Sequence, residues 1–282
     1  MRVLVTGSTG KAGRFTVREL AENGHEVFHI DREKPRESLP GSFIRLDLTD
    51  AGEVYDAIAQ MRPEGVCHIA ANPSPNGYPR QQTFQNNTMS TYNVMQAAGD
   101  AGVRRLVYAG SEMATGWLTT DEHPARFPFD ETDRVASPNA YALSKYLGEV
   151  IGETMAARYT AMSVVTLRIN NIIMPDGYDV LADRRANYPK AGSANYWSYI
   201  DVRDVASAFR AALEGESAGH EVFLIAASDT CIDIPFARAF NERFGITPKL
   251  APGFGEFQSA FDCNKIKDAF GWVARHSWRD QK

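Results

Sequence analysis

Short β-branched and aliphatic runs alternate with longer segments of helical spacing over the first two-thirds of the chain. Val3–Val5, Glu26–Ile30, Phe43–Leu46, Val66–Ile69 and Leu106–Ala109 read as buried strands. Amphipathic segments lie between them near 13–23, 51–60 and 86–101. This alternation predicts βαβ units, a parallel sheet and helices on both of its faces. Right-handed crossovers then leave few topologies.

A long helix is expected after Ser137-Pro138-Asn139, running to about Tyr159, with Asn139 as its N-cap. Met162–Leu167 and Val222–Ala226 read as a sixth and a seventh strand, and helical spacing returns from Asp201 to Leu213. Residues 171–200 carry Pro, Gly, Asn and aromatics without clear periodicity and read as substrate-side loops. The stretch from 232 to 282 suggests two short helices. The expected division is a dinucleotide-binding domain over 1–170, with 201–226 returning to it. A small substrate-binding part then comprises 171–200 and 227–282. No internal repeat or low-complexity segment is visible.

Composition narrows the class. A chain of 282 residues, 44% hydrophobic and 23% charged, fits a globular protein. The net charge of −5 is scattered, with no basic block to suggest nucleic acid. No apolar run approaches the roughly 20 residues of a membrane span, and no signal peptide is expected. Cys67, Cys231 and Cys263 are odd in number and widely spaced, which fits reduced thiols in a cytoplasm rather than a disulfide framework. The six histidines lack metal-ligand spacing, so no metal is expected.

Two motifs carry chemistry. Gly7, Gly10 and Gly13 follow an apolar strand and open a helical pattern. In that context glycines permit a tight turn and close approach of backbone to a pyrophosphate, and the helix N-terminus supplies amide donors. The fold class is therefore α/β, a Rossmann doubly wound parallel sheet with a small C-terminal substrate-binding part. Asp31, 18 residues after Gly13, ends the second strand. A carboxylate there accepts from ribose hydroxyls and repels a 2′-phosphate, favouring NAD over NADP. Arg32 beside it could instead hold that phosphate. Asp47 is either an adenine contact or a turn residue. Lys11, Ala12 and Leu48 complete the candidate cofactor set on this part of the chain.

The second motif is Tyr141-Ala-Leu-Ser-Lys145. Residues four apart on a helix share one face. A nearby ammonium and a positive nicotinamide would draw a phenol, which titrates near pH 10 when free, toward the working range. Ser111, just past the fifth strand, could polarise the same substrate oxygen.

With these residues in order, the chain resembles an extended or atypical short-chain dehydrogenase/reductase of the NAD-dependent epimerase/dehydratase branch. The likeness includes Cys67–Ala71, Asn87–Val94, Leu106–Ser111, Leu167–Asn171 and Tyr199–Ala206. It implies a catalytic triad of Ser111, Tyr141 and Lys145. Ala70, Ala71 and Asn87 would line the cofactor, Asn87 also supporting the active-site helix, and Lys145 would hold the nicotinamide ribose. Tyr141 belongs to the cofactor set as well. Dimers through a four-helix bundle are common in such enzymes, so a homodimer is expected.

The chain departs from the family in places. Many members act on nucleotide-diphosphate sugars and place an arginine in the loop that here reads Ser193-Ala-Asn-Tyr-Trp-Ser-Tyr199, without Arg or Lys. A diphosphate there would lack a charge-assisted partner. The layout resembles hexuronate dehydrogenases best. Arg168, Arg184 or Arg185 could then clamp a carboxylate, although Arg168 could equally form a structural ion pair. Trp117, Tyr196 and Trp197 are candidates for an apolar wall or for core. Glu112 and Asn170 join Arg168, Arg184 and Trp197 as candidate substrate contacts. Dehydration normally needs an Asp-Glu pair where only Glu112 stands. The expected function is oxidation of a sugar or sugar-acid hydroxyl by NAD. A nucleotide-sugar epimerase and a non-catalytic dinucleotide sensor are the alternatives.

Overall fold

The computed structural model describes residues 1–136 and 139–280. Ser137 and Pro138, expected just before the long helix, lie outside the described residues. Seven parallel strands form one sheet: β1 (Arg2–Thr6), β2 (Glu26–Asp31), β3 (Ser42–Arg45), β4 (Gly65–His68), β5 (Arg105–Ser111), β6 (Ser163–Ile169) and β9 (His220–Ile225). Their order is β3-β2-β1-β4-β5-β6-β9. A second, two-stranded sheet pairs β7 (Ile172–Ile173) with β8 (Ile200–Asp201).

Both faces of the large sheet are covered, which is why its strands read as continuous apolar runs. Successive side chains point to opposite faces. Val3 and Val5 of β1 therefore join one core with α1 (Lys11–Glu22) and α6 (Val202–Glu214). Leu4 between them joins the other, with α2 (Ala51–Met61), α3 (Arg80–Asp100) and α4 (Ala140–Arg158). Complete burial of such a side chain contributes about 1.5–3 kcal/mol. Any slip of one residue would put these side chains on the wrong faces.

Helix ends follow local chemistry. Asp50 caps α2 by accepting from Glu53 N, and Asn139 caps α4 by accepting from Ala142 N. Asp201 caps α6 through Arg203 N. Two expectations need correction. α3 begins at Arg80, six residues before the expected start, because its first turns are polar and carry little apolar periodicity. Residues 171–200 are not loops throughout: they hold β7, α5 (Asp179–Ala186) and the start of β8. Beyond β9, α7 (Phe236–Phe244) and α8 (Asn264–Phe270) are the two short helices expected. α7 packs its aromatics against Phe127, Phe129 and Tyr196.

Candidate active site

The strand order reverses between β1 and β4, and the glycine loop follows β1 at that point. Gly7 has φ +73°, and a Cβ there would lie 2.6 Å from Ala70 N, so a side chain would force the turn off the end of β4. A Cβ on Gly13 would lie 2.0 Å from the Gly7 carbonyl oxygen, so the first turn of α1 closes directly on the loop. Gly10 stands at the N-cap of α1 without a side-chain cap, which leaves the first amides of the helix open to an anion. Lys11 is exposed and Ala12 buried at this helix start, and Ala70 and Ala71 are half-buried just past β4.

Asp31 ends β2 above the same loop. Its Oδ2 accepts from Thr9 N (2.9 Å) and Thr9 Oγ1 (2.8 Å), while Oδ1 accepts from Arg32 N (2.7 Å). The Arg32 guanidinium lies 3.5 Å from the amide oxygens of Asn72 and Asn86. Asp47 serves as a turn residue, its Oδ1 accepting from both the amide and the hydroxyl of Thr49 at 2.9 Å. Leu48 is buried in the core beneath α2 and α3. Asn87 Oδ1 accepts from Asn72 N (2.7 Å), and its Nδ2 donates to Ser144 Oγ (3.1 Å), tying α3 to the segment after β4 and to α4.

Ser111, Tyr141 and Lys145 converge. Ser111 closes β5, and Tyr141 and Lys145 sit one turn apart in the buried first half of α4. Lys145 Nζ donates to the Ala109 carbonyl oxygen (2.7 Å) and stands 5.9 Å from the centre of the Tyr141 ring. Burial lowers the Lys145 ammonium to about 7. Burial also pushes the Tyr141 phenol up to about 12; hydrogen bonding with Ser111 opposes this, and the Glu112 carboxyl adds to it. Burial thus dominates at the phenol and Ser111 offsets it only in part, whereas the tuning expected toward neutrality invoked a nicotinamide beside the ammonium. His68, which the sequence reading passed over, sits below the site. Its Nδ1 pairs with Thr6 Oγ1 (2.8 Å) and its Nε2 with Thr91 Oγ1 (3.2 Å). Burial, reinforced by Lys145, lowers it to about 3, so this imidazole stays neutral.

The substrate-side candidates divide. Arg168 is corrected to a structural residue: its Nε and Nη2 donate to the two Glu149 carboxylate oxygens (2.9 and 3.0 Å), and Nη1 donates to the Glu131 carbonyl. It is buried on β6, an interior strand beside the edge, with every nitrogen engaged, so it cannot clamp a ligand. Trp197 is likewise corrected from wall to core. It is wholly buried with Leu181, Tyr199 and Ile232. Tyr196, also buried, packs on Phe127 and Phe240, and Trp117 packs against that same cluster. Arg185 lies over the Trp278 ring at 3.9 Å. Glu112 and Asn170 are buried at the C-terminal ends of β5 and β6, and Arg184 reaches toward them from α5. Asn171 and Asn195, which the sequence reading did not single out, join this group. Asn171 accepts from Arg184 Nη2 (2.9 Å), and Asn195 donates to Asn170 Oδ1 (3.2 Å).

Residues 3–226 match the sequence model of the NAD dependent epimerase/dehydratase family. The chain belongs to that family. It is 32% identical over 185 residues to an L-arabinose 1-dehydrogenase (NAD(P)(+)) of Haloferax volcanii, a match covering 62% of this chain and 68% of the relative. An NAD-dependent glucose-6-phosphate dehydrogenase of the same organism is 28% identical over 240 residues, 80% of this chain and 86% of the relative. Among solved structures, the UDP-glucose 4-epimerase of Thermus thermophilus in complex with NAD superposes with a TM-score of 0.72 at 25% identity, over 99% of this chain and 96% of that one. The protein is thus an NAD-dependent enzyme of the short-chain dehydrogenase/reductase superfamily. Its own residues fit NAD: the loop has no room for side chains at Gly7 and Gly13, open helix amides lie beyond it, and a carboxylate stands at the end of β2.

Proposed function

We propose that this protein oxidises a hydroxyl of a free sugar or sugar acid. The observation that carries this reading is the segment leading into β8. Tyr196, Trp197, Ser198 and Tyr199 are all buried, and Tyr196 and Trp197 adopt left-handed backbone (φ +53° and +56°). The loop that by family resemblance meets a diphosphate in many relatives is here aromatic core with no cation of its own, and Arg184 and Arg243 come to it from other elements. NAD bound against the glycine loop supplies the hydride acceptor. Tyr141 takes the proton of the substrate hydroxyl, Ser111 holds the same oxygen, and Lys145 lends positive charge to the phenol. Gly7, Gly10, Ala12, Gly13, Asp31, Ala70, Ala71 and Asn87 form the cofactor side, with Lys11 and Arg32 at its exposed edge. Glu112, Asn170 and Arg184 form the substrate side. Residues 1–170 and 201–226 constitute the cofactor domain in this reading.

Incubating purified protein with NAD and a panel of aldoses, uronates and nucleotide sugars tests it. A free sugar should yield NADH stoichiometrically. Conversion of a UDP-sugar to its epimer without NADH release would replace this reading with the epimerase one. That second reading is supported by UDP-glucose 4-epimerase relatives, one from Lacticaseibacillus casei being 25% identical over 96% of this chain.

A homodimer through α3 and α4 belongs to the same proposal. These helices pack together and leave Met89, Tyr92, Leu143 and Val150 exposed. A cytoplasmic location fits the three free cysteines. No helix among the described residues is long and apolar enough to cross a membrane.

A further inference from the structure

Three polar atoms at the C-terminal ends of β5 and β6 and on the arginine facing them are buried without a hydrogen-bond partner among the described residues: Glu112 Oε2, Asn170 Nδ2 and Arg184 Nη1. A buried group left unpaired costs about 1–3 kcal/mol, so a cluster of them at the mouth of a reaction centre marks the place of a missing partner. The three are one constellation. Arg184 acts electrostatically on Glu112, and its Nη2 is spent on Asn171. Gly192 places its backbone where a Cβ would meet both Arg184 Cδ (3.1 Å) and Trp197 Cδ1 (3.3 Å). Asn195 links Asn170 to the group. No ion pair joins Glu112 to Arg184 among the described residues, and each keeps one buried polar atom unpaired for a bridging group.

We propose that Glu112 reads the charge of the substrate: a neutral sugar hydroxyl bridges Glu112 and Arg184, whereas a sugar acid enters only while Glu112 carries a proton. The inference rests on the sugar-oxidising reading above. A hydroxyl donates and accepts at once, so it satisfies Arg184 Nη1 together with either form of Glu112. A uronate carboxylate satisfies Arg184 but meets a second carboxyl, and two such groups cannot both stay ionised in a buried site. The groups that face Glu112 electrostatically are Arg184 from α5 and the Tyr141 phenol from α4. Burial holds the Glu112 carboxyl well above the carboxylate range, with Arg184, the Asn195 side chain and the Asn171 amide pulling it back. The proton the proposal requires is therefore within reach.

The test compares galactose with galacturonate and glucose with glucuronate on the NAD-loaded protein. Equilibrium binding is measured on the Tyr141→Phe variant, so that turnover is not needed, and kcat/KM on the unaltered enzyme. From about pH 6 to about pH 9 the preference for aldose over uronate should grow roughly tenfold or more, as each unit of coupled protonation allows up to tenfold. In Glu112→Gln the preference should be flat with pH, aldose kcat/KM falling several-fold and uronate binding improving at high pH. A flat preference in the unaltered protein, or the same slope in Glu112→Gln, overturns the proposal, as does failure of both sugar classes to bind. Should Glu112→Gln not fold, calorimetry of uronate binding at about pH 9 in two buffers of different ionisation enthalpy must still show proton uptake that shrinks toward about pH 6, where Glu112 already holds its proton, and no uptake at the higher pH overturns the proposal. Binding with the expected pH pattern but no NADH would leave this inference standing and remove the dehydrogenase reading.

Discussion

Lys145 Nζ donates a 2.7 Å hydrogen bond to the carbonyl oxygen of Ala109, two residues before Ser111 on the same strand. This contact joins the active-site helix to the centre of the sheet through a buried amine. It fixes the spacing of hydroxyl, phenol and amine, while the burial of the amine, not the bond itself, takes away much of its affinity for a proton.

That cost has a sign. The folded state lowers the Lys145 proton affinity from 10.5 to about 7, so the unfolded chain binds more protons between those values. Stability of the ligand-free protein from this group therefore rises with pH over that interval. Lys145→Met should raise stability at pH 7 by about 1 to 3 kcal/mol while lowering kcat at least about 100-fold. Thermal denaturation from pH 6 to 10 with parallel rate assays checks both, and a variant less stable at every pH would refute the account.

Tyr141→Phe removes one oxygen and no packing. NAD binding should stay within about twofold, while kcat falls about 10²- to 10⁴-fold. Fluorescence titration of the cofactor beside steady-state rates makes the comparison. Retained turnover would exclude the phenol.

Asp31 is pinned by both donors of Thr9. Asp31→Ala should move the NAD to NADP ratio of kcat/KM toward NADP by about tenfold or more. Thr9→Val, which keeps the shape but loses one bond, should move it in the same direction by less. An unchanged ratio in Asp31→Ala would show that this carboxylate does not meet the ribose.

The buried Arg168–Glu149 pair gives a stability test apart from chemistry. Glu149→Ala leaves a buried guanidinium without its carboxylate on β6 and should cost about 3–5 kcal/mol in denaturant unfolding. The double change Arg168→Met with Glu149→Leu should recover most of that loss. Equal destabilisation by the single and the double variant would contradict the pairing.

The parallel sheet was legible in the sequence because its inner strands are covered on both faces and so are written as apolar runs, while the edge strand β3 shows only Phe43 and Ile44. The α4 cap was legible because Asn139 stands just before the apolar face begins. The polar start of α3 was not, since its first turns lie against few apolar partners. The glycine loop, Asp31, Ser111, Tyr141 and Lys145 were readable from spacing, and the fold brings them to one end of the sheet. The fates of Arg168 and Trp197 were not readable. An arginine on a strand and a tryptophan in a loop have the same local sequence whether their partners are protein or ligand. Glu149 lies 19 residues from Arg168, on a different element. Thr9, Asn171 and Asn195 escaped notice for the same reason: they act by holding a neighbour.

The contact between Gly7 and the backbone at Ala70 means that docking of coenzyme and assembly of the two halves of the sheet share a single hinge of space. A methyl group at position 7 would wedge the halves apart at the point where the dinucleotide must cross. Loss of affinity and loss of solubility should therefore arrive together there and at Gly13, whereas on the exposed face of α1 they can be inherited separately.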